Sequence, residues 1–141
     1  MLISEYGVSF LRLGFALFLL ALLTGLAIPA FRNPRIALSG HLAALMNGTF
    51  VAVVGLSSAA FDLSGGALQA LYWLTLYGTY SNWLANLFAA AFGTSRSTPI
   101  AGAGHTGKDW QEKLATFGFV TSALAMLVVV GLVLYGLRHH A

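Results

Sequence analysis

Long apolar runs, broken at only a few places by polar residues, set the pattern of this chain. Four of them are long enough to cross a bilayer, at about 8–28, 38–61, 67–92 and 114–137. A helix rising about 1.5 Å per residue needs about 20 apolar residues to cross roughly 30 Å of hydrocarbon. The pattern therefore predicts an all-α membrane protein, a bundle of four transmembrane helices in one domain. The first run is too long for the apolar part of a secretory leader. It is followed by Pro29, Phe31 and Arg32, not by a small-residue cleavage site. Residues Asp62–Gly66 make a tight turn between the second and third helices, an antiparallel hairpin. The link Pro29–Ala37 is short and basic, and Gly93–Lys113 is the long connection.

Composition agrees with this reading. Of the 141 residues, 58% are hydrophobic and 8% charged, where a soluble domain carries about 25% charged residues to face water. The seven Lys and Arg are too few and too scattered for a nucleic-acid surface. Cysteine is absent, which excludes disulfides and thiolate metal sites. Arg32, Arg35, Arg96, Lys108 and Lys113 fall on one side of the spans, against Arg12 and Arg138 near the other. The positive-inside rule places both larger connections in the cytoplasm and both termini outside.

Polar groups at membrane depth are costly and each calls for a reason. His41 is the one histidine within a span. Its imidazole serves either as an interhelical hydrogen-bond donor or as a ligand to a metal or haem iron. Gly40, Ala44, Gly48 and Ala52 recur every four residues beside it. Such a stripe allows two helices to approach closely, and a flat macrocycle standing on His41 would need the same lack of bulk. Asn47 lies six residues on, about 240° round the helix at roughly 100° per residue. One helix face therefore cannot aim both at one spot: either they serve different sites, or a partner subunit brings its Asn47 opposite this His41, which is a reason to expect an oligomer. In the third run, Thr75, Thr79, Asn82 and Asn86 share one helical face, flanked by Tyr77, Tyr80 and Trp83. This stripe suits a pocket for an aromatic, hydrogen-bonding substrate, with polar glue between helices as the alternative. The Gly-rich segment Pro99–Gly107 lacks the spacing and context of a nucleotide-binding loop. No acidic residue lies mid-span, which disfavours a proton-coupled exporter. A single intramembrane histidine would leave a haem with an open coordination site, which suits chemistry more than electron relay.

The segments Asn33-Pro34-Arg35, Ser39-Gly40-His41 through Met46-Asn47-Gly48-Thr49, Tyr77-Gly78-Thr79-Tyr80-Ser81-Asn82-Trp83 and Ala101-Gly102-Ala103-Gly104-His105-Thr106-Gly107 resemble the hydroxylaminobenzene mutase family. The likeness runs from the first helix into the fourth. It implies an intramolecular rearrangement of hydroxylaminobenzene to 2-aminophenol in bacterial nitroarene degradation, by a multi-pass protein of the bacterial cytoplasmic (inner) membrane. More distantly the chain resembles styrene oxide isomerase, which shares a His, five residues, then Asn-Gly, and a Ser-Asn pair matching Ser81-Asn82. That family uses haem b and assembles as a trimer, so the resemblance implies a homotrimer with His41 as axial iron ligand. It implies further that Asn47 lines the distal pocket beside a small aromatic hydroxylamine, and that ferric haem acts as a Lewis acid. Asn82 and Asn86 would orient the substrate, and Tyr77 and Tyr80 would pack its ring or donate a hydrogen bond. Ala44 and Gly48 would border the macrocycle, and Arg32, Arg35, Arg96 or Lys108 would pair with its propionates, with topology and lipid headgroups as the alternative for these cations. The sequence departs from the isomerase at Asn86, where that family has tyrosine, which argues against styrene oxide as natural substrate. An aryl epoxide isomerase and a non-enzymatic helix bundle are the alternatives.

Overall fold

A computed structural model describes residues 4–138, and these form four long helices: α1 (Glu5–Ala27), α2 (Pro34–Ser57), α3 (Gly65–Phe92) and α4 (Asp109–Gly136). Each begins earlier than its apolar run because polar residues cap it. The Ser4 hydroxyl accepts the Gly7 N–H at 3.0 Å. The Asn33 Oδ1 accepts the N–H groups of Arg35 and Ile36 at 3.0 and 3.4 Å. Pro34, at the first position of α2, has no N–H to leave unpaired. Gly93 ends α3 at φ 67°, a left-handed conformation that glycine adopts without a Cβ penalty.

The helices pack up and down in chain order. α1 lies along α2, α2 along α3 and α3 along α4, while α1 touches α3 only lightly. α1 and α2 approach most closely. A Cβ on Gly14 would lie 2.7 Å from the Gly48 carbonyl oxygen, and one on Gly48 would lie 2.8 Å from the Phe18 nitrogen. Only glycine permits this backbone-to-backbone contact. On the other flank of α2, a Cβ on Gly40 would meet Asn86 of α3 at 2.9 Å. The small-residue stripe is thus used for helix contacts within the chain.

Large apolar side chains stand exposed along the outside, among them Leu26, Met46, Leu127 and Leu134. Three helical segments, Glu5–Ala30, Pro34–Ala60 and Asp109–Gly136, are long and apolar enough to cross a membrane. α3 has the same 28-residue length as α4, but its line of hydroxyls and amides lowers its apolarity.

The long connection is folded back on one end of the bundle. The buried Glu112 carboxylate accepts N–H groups from Ser95 at 3.1 and 3.2 Å, Arg96 at 2.9 Å and Gly107 at 3.0 Å. Asn33 is fully buried; its N–H donates to the Ala90 carbonyl at 2.9 Å and its Nδ2 to the Ala101 carbonyl at 2.9 Å. The His105 Nε2 lies 3.2 Å from the Arg32 carbonyl. The connection is thereby tied at both ends, to the α1–α2 link and to the first turn of α4.

Candidate active site

His41 sits on the flank of α2 that faces α1. Its Nδ1 lies 2.7 Å from the carbonyl oxygen of Ala21; a carbonyl only accepts, so Nδ1 donates there and Nε2 is the nitrogen that remains. Among the described residues Nε2 has no hydrogen-bond partner, and the His41 side chain is only partly buried. An imidazole held through one nitrogen by a backbone carbonyl, with the other open, is the arrangement that orients a metal-binding histidine. Among the described residues no group of three or more His, Asp or Glu could hold a metal ion by itself. His41 could therefore hold a metal only as one ligand among others that a bound group would supply.

Gly25 of α1 makes room for the ring. A Cβ there would lie 2.8 Å from both Cε1 and Nδ1 of His41. Gly25→Ala should therefore rotate the imidazole, break the Ala21 contact and lower activity by about tenfold or more, the scale of losing an orienting partner of a metal ligand. Helical content by circular dichroism should stay at the wild-type value; unchanged turnover would contradict the role given to Gly25.

α1 also collects the aromatics of α3. The Tyr80 hydroxyl donates to the Leu13 carbonyl at 2.7 Å, and the Trp83 Nε1 donates to Thr24 Oγ1 at 3.0 Å. Both rings pack against the buried trio Leu17, Ala21 and Ala44, next to the carbonyl that holds His41. Trp83, Thr24, Gly25 and Ala21 are the members of this site that site assignment from sequence missed. A backbone acceptor has no side-chain signature, so only the glycine and the aromatic register carried any signal.

Asn47 and Asn82 meet on the opposite flank of α2, and Asn86 lies one turn further along α3, against Gly40. The Asn47 Nδ2 donates to Asn82 Oδ1 and to the Thr79 carbonyl, both at 3.4 Å, and the Asn86 Nδ2 donates to the Asn82 carbonyl at 2.9 Å. His41 and Asn47 thus face different neighbours within one chain, as their angular separation requires. Thr75 and Thr79 are fully buried and donate to the carbonyls of Leu71 and Thr75 at 2.6 and 2.7 Å. Their hydroxyls bond back into their own helix, so only the amide end of the stripe has polar groups to offer.

The structure separates Tyr77 from this group. Its hydroxyl lies 2.7 Å from Thr121 Oγ1 on the α4 side of α3, at a groove of about 540 Å³ lined by Leu84, Phe88, Leu114 and Phe117. Ala44 and Gly48 are buried in the α1–α2 contact, so neither presents a face to a macrocycle. The guanidinium of Arg32 donates to the Phe92 carbonyl at 2.9 Å and that of Arg35 to the Ala103 carbonyl. Both remain exposed, yet in this arrangement they hold the connection. His139 and His140 lie outside the described residues.

Comparison with known proteins extends the picture over the whole chain. A family model described as styrene oxide isomerase matches residues 7–138. The chain is similar to hydroxylaminobenzene mutase HabB of Ectopseudomonas oleovorans, 48% identical over 129 residues, 91% of this chain and 79% of that protein. It is also similar to hydroxylaminobenzene mutase HabA of the same organism, 36% identical over 125 residues, 88% of this chain and 93% of that one. No solved structure matches it.

Proposed function

This chain belongs to the styrene oxide isomerase family, and on that premise we propose that it is an integral membrane isomerase rearranging hydroxylaminobenzene to 2-aminophenol. The observation that carries the substrate class is the likeness to two hydroxylaminobenzene mutases along nearly the whole chain. The same likenesses set aside a non-enzymatic helix bundle. The reading places four helices across the bacterial cytoplasmic membrane, with α3 shielded by its neighbours where its polar stripe runs. It includes a homo-oligomer, with a trimer favoured, in which a second copy completes the site that His41 and Asn47 of one chain cannot share.

The reaction leaves composition unchanged. The N–O bond breaks, the oxygen bonds to the ortho carbon, the ortho hydrogen leaves as a proton and nitrogen gains one. His41 would hold haem b through Nε2, with Nδ1 anchored on Ala21. When bound, haem b supplies a Lewis-acidic iron that stabilises charge as the N–O bond weakens. The amides of Asn47, Asn82 and Asn86 hold and orient the hydroxylamine through paired donors and acceptors. Tyr80 and Trp83 pack against Ala21 and fix the carbonyl that holds His41, and the surrounding apolar side chains keep water from capturing the ring at other positions.

An aryl epoxide isomerase is the second reading, favoured by the description of the matching family model. Incubating the purified protein with hydroxylaminobenzene and, separately, with styrene oxide distinguishes the two. Conversion of the first to 2-aminophenol at a much higher kcat/KM is the expected result. Turnover of the epoxide alone would overturn the proposal.

A further inference from the structure

We propose that the groove between α3 and α4, together with the cations at its loop end, binds one anionic phospholipid. The groove walls are Leu84, Phe88, Ala91, Leu114, Phe117 and Gly118, with little polar surface, which suits an acyl chain. Phe117 also borders a second depression whose walls include Arg96, Lys113 and Val120. One ring therefore joins the apolar trough to two cations.

Their charge is the reason for an anionic partner. Arg96 and Lys113 converge on a single carboxylate, Asp109, at 3.3 and 2.6 Å, and all three side chains are more than half exposed. Two exposed cations share one exposed carboxylate, while the Glu112 carboxylate of the same turn is buried on backbone N–H groups, so the outer face of the cluster is positive. A phosphodiester headgroup carries one negative charge and several acceptor oxygens, the complement of that cluster.

Depth agrees with charge. α3 ends at Phe92 and α4 begins at Asp109, so the cations lie where the helices leave the apolar layer. Trp110 stands there against Phe88 and Phe92, with ring centroids 6.1 and 6.0 Å away. Aromatic rings concentrate at this level of a bilayer. The other cations of that end also lie on the connecting segments, and the leaflet that the positive-inside rule assigns to them is the one rich in anionic lipid.

The test uses the full chain, delipidated in detergent and titrated with phosphatidylglycerol or phosphatidylcholine, with adducts counted by native mass spectrometry. One phosphatidylglycerol should bind with a preference of about fivefold over phosphatidylcholine, the scale of one cation at an anionic surface. Arg96→Gln combined with Lys113→Gln should bring the two lipids to parity. Asp109→Asn, which frees both cations, should raise the preference. Ala91→Leu, which narrows the trough, should weaken both lipids. Equal binding to the unaltered chain, or a preference that survives the double substitution, would overturn the proposal. So would a groove covered by a second copy, seen as Leu84→Cys cross-links between chains and no lipid adduct.

Discussion

On the proposal that haem attaches through His41, His41→Ala should yield a folded protein that has lost both haem and activity. The imidazole is half-buried against Gly25 with one hydrogen bond to a carbonyl of α1, while the glycine contacts of Gly14 and Gly48 hold the two helices together without it. What the substitution removes is Nε2, the group through which the proposal attaches iron. A Lewis-acidic metal contributes several kcal/mol of transition-state stabilisation, and each 1.36 kcal/mol is tenfold in rate. Activity should therefore fall by about a thousandfold or more, with loss of the Soret band and of haem b in a pyridine haemochrome assay. Helix content should stay at the wild-type value. Retained haem together with retained turnover would remove iron from the account and shift the chemistry onto the asparagine amides.

The second large effect falls on stability. Glu112 is 4% exposed, and its two oxygens collect the N–H groups of Ser95, Arg96 and Gly107. Alanine would leave those donors without a partner, at about 1–3 kcal/mol for each one kept from water. It would also remove a negative charge from the first turn of α4, where the helix dipole favours one. Glu112→Ala should thus lower stability by about 3 kcal/mol or more and free the connection from α4. Glu112→Gln keeps one acceptor oxygen and should fall between alanine and wild type. Thermal unfolding in detergent, followed by tryptophan fluorescence, gives the measurement. Equal Tm values for alanine and wild type would show that the carboxylate does not hold the connection.

How far this arrangement was legible in the sequence depends on the residue. The four helices were, because each is a long run that is apolar for most of its length. Their true starts were not visible to an apolar count, since Ser4, Asn33 with Pro34, and Asp109 are polar or helix-initiating residues ahead of the runs. His41 stood out as the lone histidine of a span, but its anchor did not, because the Ala21 carbonyl belongs to the backbone of another helix. The threonines of α3 were read as lining a pocket on the strength of their shared face. That face is the α2 contact, and the hydroxyls bond to their own helix. Tyr77 was within reach of the periodicity alone: five residues before Asn82, it lies about 140° round the helix from it at roughly 100° per residue. Arg32 and Arg35 could not be placed from sequence, because the carbonyls they hold, at the end of α3 and in the long connection, lie 60 and 68 residues away.

The central claim is an isomerisation in which the oxygen lost by nitrogen is the oxygen gained by carbon, in a space that excludes water. Turning over hydroxylaminobenzene in ¹⁸O-labelled water tests it most directly, with the oxygen of the 2-aminophenol read by mass spectrometry. The account predicts product oxygen that matches the substrate and carries no solvent label. Product carrying ¹⁸O from the solvent would contradict it, because water would then be the nucleophile and the chemistry an addition, not an intramolecular transfer.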